Sequence, residues 1–409
     1  MILSEKTKRE LNPLLTNIAE ELDITKSMYD SLSQSYKAIG EYLGGSKELS
    51  AYNVEIHPQG SLLLGTAIRP VIDDDDVDID LVCELRRKDP SWTQHTLKHK
   101  VGGRLKESDQ YRAMLKEEGR RCWTLLYRRH SDNPQDRYHL DVLPAVYDSN
   151  ESVYNAMATL SRSYHGIALW DKLAMRITDN KEEVHKTATD ISIWPKTNPF
   201  GYALWFKERC VTTQKRESAI FCSSSVSPMP KYTDKKVPLQ RVVQILKRHR
   251  DLMFQGDEDK PISIIITTLS AYAYNGEDDI ATALCNVVEH MDSFITIDQN
   301  RHYVIQNPVN PEENFADKWA EYPKRQENFF KWLRKLKADI ESITKDNIEW
   351  TQMAIEMKPM FGDKLVSSVI AAQGYSTQAK RDNGALKMAT TGVLGSVGSS
   401  VKAHTFFGK

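Results

Sequence analysis

The sequence predicts an α/β (α+β) protein, and two kinds of hydrophobic pattern support that prediction. Between residues 51 and 210, short runs alternate apolar and polar side chains, as strands with one buried face do. Residues 13–42 and the chain from Val237 onward instead repeat apolar residues at helical spacing. We therefore expect a sheet in the first half of the chain and a helical lobe in the second.

The amino-terminal pattern predicts one long helix over residues 13–42, ending before the pair Gly44-Gly45. Its apolar stripe consists of Leu14, Ile18, Leu22, Ile24, Met28, Leu32, Tyr36 and Ile39.

The most informative segment covers residues 60–81 and reads GSLLLGTAIRPVIDDDDVDIDL. Its end alternates strictly, so Asp78 and Asp80 share one face of a predicted strand, while Ile79 and Leu81 share the other. The apolar side can face a core while the carboxylates line a cleft. Clustered carboxylates repel one another unless solvent or divalent cations compensate their charge.

A third carboxylate lies on a second predicted strand, YHLDVLPA, in which Asp141 shares a parity with His139 and Leu143. The preceding run RCWTLLYRR also predicts a strand, and the short polar connection between the two predicts a hairpin. Asp141 can then lie beside Asp78 and Asp80. Three carboxylates on one sheet face suit a pair of Mg²⁺ ions, which prefer a few carboxylates, water and phosphate oxygens. The alternative for Asp78 and Asp80 is a solvated acidic edge strand.

Gly60 and Ser61 open the segment and predict a phosphate contact. Glycine lets the backbone approach a phosphate closely, and backbone N–H groups with a serine hydroxyl at a turn entering a helix bind anions. Residues 61–68 can form that short helix. A simple turn and helix cap is the alternative, and the nearby acidic strand favours phosphate binding.

The Gly-Ser pair, the Asp78-Ile79-Asp80 strand and the later Asp141 together resemble the DNA polymerase β-like nucleotidyltransferase superfamily. The words HPQGSLLLGTAIRP, HLDVLPA, NPFGYALWFKER and PLQRVVQILKRHRD resemble bacterial relatives of cyclic GMP-AMP synthase and oligoadenylate synthetase over roughly residues 10 to 345. Those enzymes make cyclic di- or trinucleotides in antiphage signalling.

The resemblance implies a polymerase β-like core with a mixed sheet, a helical lobe, and a long first helix spanning both. It implies that Asp78, Asp80 and Asp141 are catalytic and hold two Mg²⁺ ions, with Mn²⁺ able to substitute. The donor triphosphate is then held by Gln59, Gly60, Ser61, Lys247 and Ser263. A solvated helix face is the alternative for Lys247, which lies on the polar side of a predicted helix with Gln240, Arg241, Gln244, Arg248 and Asp251.

The implied substrates are ATP and GTP, and the implied product partner is a separately encoded effector. Some enzymes of this group are conjugated to other molecules through a C-terminal glycine, and here Lys409 follows Gly408. We divide the chain into a nucleotidyltransferase core (1–210), a helical lobe (211–373) and a Gly/Ser-rich tail (374–409) that is loosely held.

Composition agrees with a large soluble cytoplasmic enzyme, and the resemblance implies a bacterial one. The net charge of −1 gives no overall attraction to nucleic acid, and no long apolar stretch predicts a membrane span. The five cysteines are dispersed, with no CxxC pair that would bind zinc, so we expect no nucleic-acid activator. Two other functions stay open: a template-independent transferase acting on RNA or another hydroxyl acceptor, and an inactive fold member that only binds.

Overall fold

A computed structural model describes residues 3–70, 77–129, 131, 137–147, 173–211, 226–346 and 348–382, with short pieces at 385, 387–388, 394–395 and 399–400. The acidic residues 73–76 and the C-terminal sequence HTFFGK lie outside the described residues. No helix in the described ranges is long and apolar enough to cross a lipid bilayer.

The first lobe is built on a six-stranded mixed sheet, as expected. Strands β1 and β2 are antiparallel, β2 and β4 are parallel, and β3 forms the predicted antiparallel hairpin with β4. Strands β5 and β6 extend the sheet beyond β4. The strands are β1 (Val54–Gln59), β2 (Val77–Leu85), β3 (Trp123–Tyr127), β4 (Tyr138–Tyr147), β5 (Met175–Ile177) and β6 (Lys196–Thr197).

Helices cover one face of this sheet and bury its apolar side chains. They are α2 (Lys26–Gly44), α4 (Gln94–Glu107) and α5 (Asp109–Met114), while the short helix α3 (Gly60–Leu64) follows β1 directly. Ile79 and Leu81 of β2 pack into this core, which leaves Asp78 and Asp80 on the opposite face.

The single long amino-terminal helix that we expected is wrong, because the chain forms two helices, α1 (Glu5–Glu21) and α2. The break follows from local hydrogen bonds: Thr25 caps α2 by accepting a hydrogen bond from the backbone N–H of Met28. Within the break, Asp23 accepts hydrogen bonds from Arg241 at 2.7 Å and Gln244 at 2.7 Å. The apolar residues of the two helices pack in different lobes: those of α1 pack in the helical lobe, and those of α2 pack in the sheet lobe.

The second lobe is predominantly helical and has its own core. Its helices are α6 (Pro199–Cys210), α7 (Pro238–Phe254), α8 (Ser263–Ala273), α9 (Ile280–His290), α10 (Pro323–Thr344), α11 (Trp350–Phe361) and α12 (Asp363–Asp382). Two small hairpins lie between α9 and α10: β7 (Thr296–Ile297) with β8 (Tyr303–Val304), and β9 (Gln306–Asn307) with β10 (Asn310–Asn314). Helix α12 crosses residue 374, where we expected a loose tail to begin, and Val366 and Val369 of this helix are buried in the core.

Candidate active site

The two acidic strands bring the three predicted carboxylates onto one face of the sheet. In the parallel register of β2 and β4, Asp80 lies opposite Asp141, and Asp78 lies opposite His139. The Asp78 side chain is 74% exposed, and its carboxylate lies 3.5 Å from Nδ1 of His139. The side chains of Asp80 and Asp141 are partly buried. The strand parity that the sequence predicted therefore brings all three carboxylates to one face of the sheet.

The hairpin strand β3 contributes a residue that sequence reasoning missed. Thr124 lies opposite Asp141 in the antiparallel register, and its hydroxyl donates a 2.5 Å hydrogen bond to the Asp141 carboxylate. This contact fixes the rotamer of Asp141 and leaves its second oxygen for another partner. The predicted hairpin already implied that a residue of the first strand would lie opposite Asp141. The register of the two strands, which identifies that residue as Thr124, could not be read from the sequence.

The turn between β1 and α3 is shaped around the Asp80 carboxylate. Gly60 has φ +65°, and a Cβ added there would lie only 2.0 Å from Oδ2 of Asp80. A side chain at residue 60 and the observed position of the Asp80 carboxylate are therefore incompatible. The glycine that the sequence singled out for phosphate approach thus also makes room for a carboxylate.

The carboxylates destabilise one another in their ionised form. The pKa of Asp80 is raised to about 7, mainly by burial and to a lesser extent by the carboxylates of Asp78 and Asp141, while Lys247 opposes the rise. Burial also raises the pKa of Asp141, while the hydrogen bond from Thr124 opposes that rise. Such a cluster ionises fully only when positive charge is supplied. The arrangement therefore fits a site for divalent cations.

The polar side of α7 is buried, which contradicts the solvated helix face that was the alternative for these residues. Its side chains donate hydrogen bonds to backbone carbonyls of the loop after α3. Gln240 donates to Leu64 at 2.9 Å, and Gln244 donates to Ala67 at 2.8 Å. Because this loop follows Gly60 and Ser61, helix α7 holds the turn between β1 and α3 against the helical lobe.

Lys247 is the next member of this row and is 5% exposed. Its ammonium donates hydrogen bonds to the carbonyl and the hydroxyl of Thr66 at 3.1 and 3.3 Å. The pKa of Lys247 is lowered to about 7, mainly by burial and also by the neighbouring Arg250, while the carboxylates of Asp251, Asp80 and Asp78 oppose the fall. An added anion would favour the charged ammonium.

Ser263 begins α8 beside this lysine. Its hydroxyl accepts a 2.8 Å hydrogen bond from Arg250, a residue that sequence reasoning did not select. Arg250 also forms a 2.7 Å ion pair with Asp251, which lies 3.6 Å from the ammonium of Lys260. The spacing of three residues from Lys247 already placed Arg250 on the same helix face.

Two cavities meet at Gly60 and Asp80. The smaller has a volume of about 330 Å³ and is lined by Asp78, Ser61 and the basic residues Lys247, Arg250 and Lys260, together with Ser263. The larger has a volume of about 910 Å³ and includes Asp141, Thr124 and Gln59 in its lining.

The far wall of the larger cavity combines aromatic, amide and charged side chains. Tyr202, on the helix that connects the lobes, lines it, as do Asn307, Asn310 and Glu313 from the β9–β10 hairpin. Sequence reasoning did not predict that this hairpin would form part of a cavity wall. The larger cavity therefore has the chemistry of a nucleoside site, and the smaller has that of a polyphosphate site.

The chain is similar in sequence to several known proteins. Residues 10–165 match the family model described as Second Messenger Oligonucleotide or Dinucleotide Synthetase domain. A c-di-GMP synthase from Roseivirga ehrenbergii is 29% identical over 398 residues, covering 96% of this chain and 95% of that protein. The cyclic dinucleotide synthase CdnG from Bradyrhizobium diazoefficiens is 20% identical over 429 residues, covering 98% and 95%.

Solved structures show the same fold. CdnG in complex with GTP superposes with a TM-score of 0.63 at 18% identity, covering 89% of this chain and 99% of that chain. The structure of CdnC from Escherichia coli MS115-1 with ATP gives a TM-score of 0.56 at 14% identity, covering 86% and 97%.

Proposed function

From the match of residues 10–165 to the family model described as Second Messenger Oligonucleotide or Dinucleotide Synthetase domain, we propose that this chain is a nucleotidyltransferase that joins nucleoside triphosphates into a cyclic oligonucleotide. In each step a ribose hydroxyl attacks the α-phosphorus of a second nucleotide, a phosphodiester bond forms, and pyrophosphate leaves. The observation that carries this proposal is the convergence of Asp78, Asp80 and Asp141 where a polyphosphate cavity meets a nucleoside cavity.

GTP is the substrate that we propose first, with a cyclic dinucleotide as the product. This choice rests on the relative named a c-di-GMP synthase, which matches nearly the whole chain. ATP, alone or with GTP, and a cyclic trinucleotide are the alternatives that the product assay distinguishes.

We propose that Asp78, Asp80 and Asp141 hold two Mg²⁺ ions, for which Mn²⁺ can substitute. When bound, such ions favour the ionised attacking hydroxyl and neutralise the charge of the leaving pyrophosphate. These residues fit divalent cations because Asp80 is buried beside two other carboxylates. Its pKa is raised, so its ionised form is favoured only when positive charge is added.

The two cavities suggest separate roles for the outer carboxylates. Asp141 lines only the larger cavity, so we assign it to the side of the attacking hydroxyl. Asp78 lines only the smaller cavity, so we assign it to the triphosphate side, while Asp80 lines both. Catalysis by these residues is then mainly positioning and charge compensation.

The donor triphosphate is assigned to Gly60, Ser61, Lys247 and Ser263, with Gln59 on the nucleoside side of the turn. Lys247 is prepared for this role because its ammonium is buried and a polyphosphate would restore its full charge. Arg250 adds a second cation in the same cavity. These contacts hold the α-phosphate in place beside the carboxylates.

Incubation of the full chain with each NTP and with pairs, in Mg²⁺, followed by mass spectrometry, tests the proposal. A cyclic product containing guanine, with one pyrophosphate released per bond, is expected. Extension of an added RNA primer without cyclic product would instead support the RNA-directed transferase. No turnover of any NTP, while nucleotide still binds, would support a binding module.

We further propose a bacterial cytoplasmic role in antiphage defence, with a separately encoded effector that senses the product. This part rests on the family resemblance alone. The same is true of conjugation through the C-terminal residues, where Lys409 after Gly408 requires removal of the lysine or a different chemistry.

A further inference from the structure

A second cluster of ionisable side chains lies on the same face of the sheet as the catalytic carboxylates, farther along β2. Glu55 and His57 of β1 and Glu84 of β2 bring one ligand atom each to within 4.8 Å of one another. Glu84 is four residues from Asp80, which in a strand corresponds to roughly 13 Å. The cluster is therefore separate from the proposed catalytic centre.

Two members of the cluster have buried polar atoms that lack hydrogen-bond partners among the described residues. Both carboxylate oxygens of Glu84 and Nε2 of His57 lack a partner there. Glu84 is 0% exposed and His57 is 3% exposed. An orphaned buried carboxylate costs several kcal/mol if it is ionised. Burial raises the pKa of Glu84 well above its ordinary value, and Glu55 raises it further.

The spacing of the ligand atoms matches a small divalent cation. Nε2 of His57 lies 3.5 Å from Oε2 of Glu55 and 3.5 Å from Oε2 of Glu84. Tetrahedral ligands at about 2.0–2.1 Å from zinc are about 3.3–3.4 Å apart. An ion between the three atoms would therefore require only a small adjustment of the side chains.

The surrounding residues orient the ligands as a metal site requires. Nδ1 of His57 forms a 2.8 Å hydrogen bond with the hydroxyl of Ser227, which leaves Nε2 to point into the cluster. Arg86 donates to Oε1 of Glu55 at 2.7 Å, and its partner oxygen Oε2 faces His57. In metalloproteins, second contacts of this kind hold the ligating side chains in the orientation that the metal requires.

We propose that His57, Glu55 and Glu84 form a structural binding site for one Zn²⁺ ion. One imidazole and two carboxylates are a ligand set that zinc accepts, and they include a nitrogen donor that Mg²⁺ does not prefer. The ion would tie β1 to β2 and, through Ser227, to the segment that bridges to Ile56. This inference is independent of the proposed reaction.

The first test uses the full chain carrying Asp78→Asn, Asp80→Asn and Asp141→Asn, so that the catalytic carboxylates contribute no metal site. After treatment with a chelator, the protein is dialysed against Zn²⁺ or Mg²⁺ and bound metal is measured by elemental analysis. We expect one Zn²⁺ per chain and no retained Mg²⁺. Glu84→Gln in this background should abolish zinc retention, whereas the exposed control Glu117→Gln should leave it unchanged.

The second test keeps all three ligands and removes the orienting hydrogen bond. Ser227→Ala should weaken Zn²⁺ binding about 10- to 100-fold. Added Zn²⁺ should raise the melting temperature of the chain that carries the three Asp→Asn changes, but not that of the same chain with Glu84→Gln. Because each melting curve also shows whether the variant is folded, this comparison separates loss of zinc binding from a folding defect. Retention of zinc by Glu84→Gln, equal affinity in Ser227→Ala, or no zinc bound to a folded parent would overturn the proposal.

Discussion

Replacing Gly60 by alanine is the most selective perturbation of the proposed site. The added methyl group would lie 2.0 Å from Oδ2 of Asp80, far inside van der Waals contact. The Asp80 carboxylate must then rotate away, or the turn between β1 and α3 must shift. Either response moves the turn, to which we assign phosphate binding, away from the carboxylate of Asp80, which lines both cavities.

Two effects of different size are expected from this change. Alanine at φ +65° costs about 1–2 kcal/mol of folding free energy, because its Cβ crowds the backbone in the left-handed region. Misplacing a catalytic group by about 1 Å can cost about 100-fold in rate, which corresponds to roughly 2.7 kcal/mol. We therefore expect a modest loss of stability and a rate of pyrophosphate release at least about 100-fold lower.

Gly256→Ala supplies the matched control. Gly256 has φ +86°, and no atom lies within 4 Å of a Cβ added there. Gly256→Ala should therefore lose a similar amount of folding free energy through its positive φ, without displacing a carboxylate. Pyrophosphate release and thermal melting are compared for both variants and the parent. Equal activity in Gly60→Ala and Gly256→Ala would refute the close contact with Asp80 as a requirement for catalysis.

Four further predictions follow from the same geometry. Asp78→Asn should abolish product formation yet leave the melting temperature equal or higher, because one repelling carboxylate is removed; near-normal turnover in Mg²⁺ would contradict its assignment. Lys247→Met should raise the KM for the donor nucleotide about 10- to 150-fold while keeping the fold, which corresponds to a loss of about 1.5–3 kcal/mol of binding free energy. The exposed control Lys231→Met should change the KM less than about twofold. The affinity for Mn²⁺, measured by electron paramagnetic resonance of the free ion, should increase as the pH rises toward 7. The pKa of Asp80 is raised to about 7, so below that pH the carboxyl group must lose a proton before it can bind the ion. An affinity that does not change between about pH 6 and 8 would contradict this. Truncation after Asp382 should leave synthesis by the purified enzyme within a few-fold of the parent while altering protection against phage in cells; loss of folding would show that the later residues belong to the core.

The shared face of Asp78 and Asp80 could be predicted from the sequence because strand parity is a local property. Two residues of separation put Asp78 and Asp80 on one face whatever else the chain does. The partnership with Asp141 needed a second strand in register, and the parallel pairing of Asp80 with Asp141 supplies it. The sequence contained both strands but not their register, which long-range packing decides.

The polar face of α7 was harder to interpret, because burial of polar side chains depends on what they meet. Gln240, Gln244 and Lys247 look like a solvated helix face in sequence. In the structure they bind carbonyls of residues 64–67, more than 170 positions away. The break between α1 and α2 has the same origin, since Asp23 is bound by Arg241 of α7. Helix α7 therefore organises the amino-terminal helices and the phosphate turn at once.

This organisation bears on how one site could form both bonds of a cyclic dinucleotide. Among the described residues, Asp78, Asp80 and Asp141 share one face of the sheet. Of these three carboxylates, only that of Asp80 lines both cavities. A linear intermediate would keep its triphosphate end and its free hydroxyl at opposite ends, so the hydroxyl must reach the Asp141 side while the triphosphate returns to the Lys247 side. The small cavity of about 330 Å³ is held by buried hydrogen bonds from α7, whereas the larger one of about 910 Å³ lies at the upper end of the size range of ligand pockets. Reorientation is therefore expected in the larger cavity, with the rigid phosphate cradle fixing the donor in both steps.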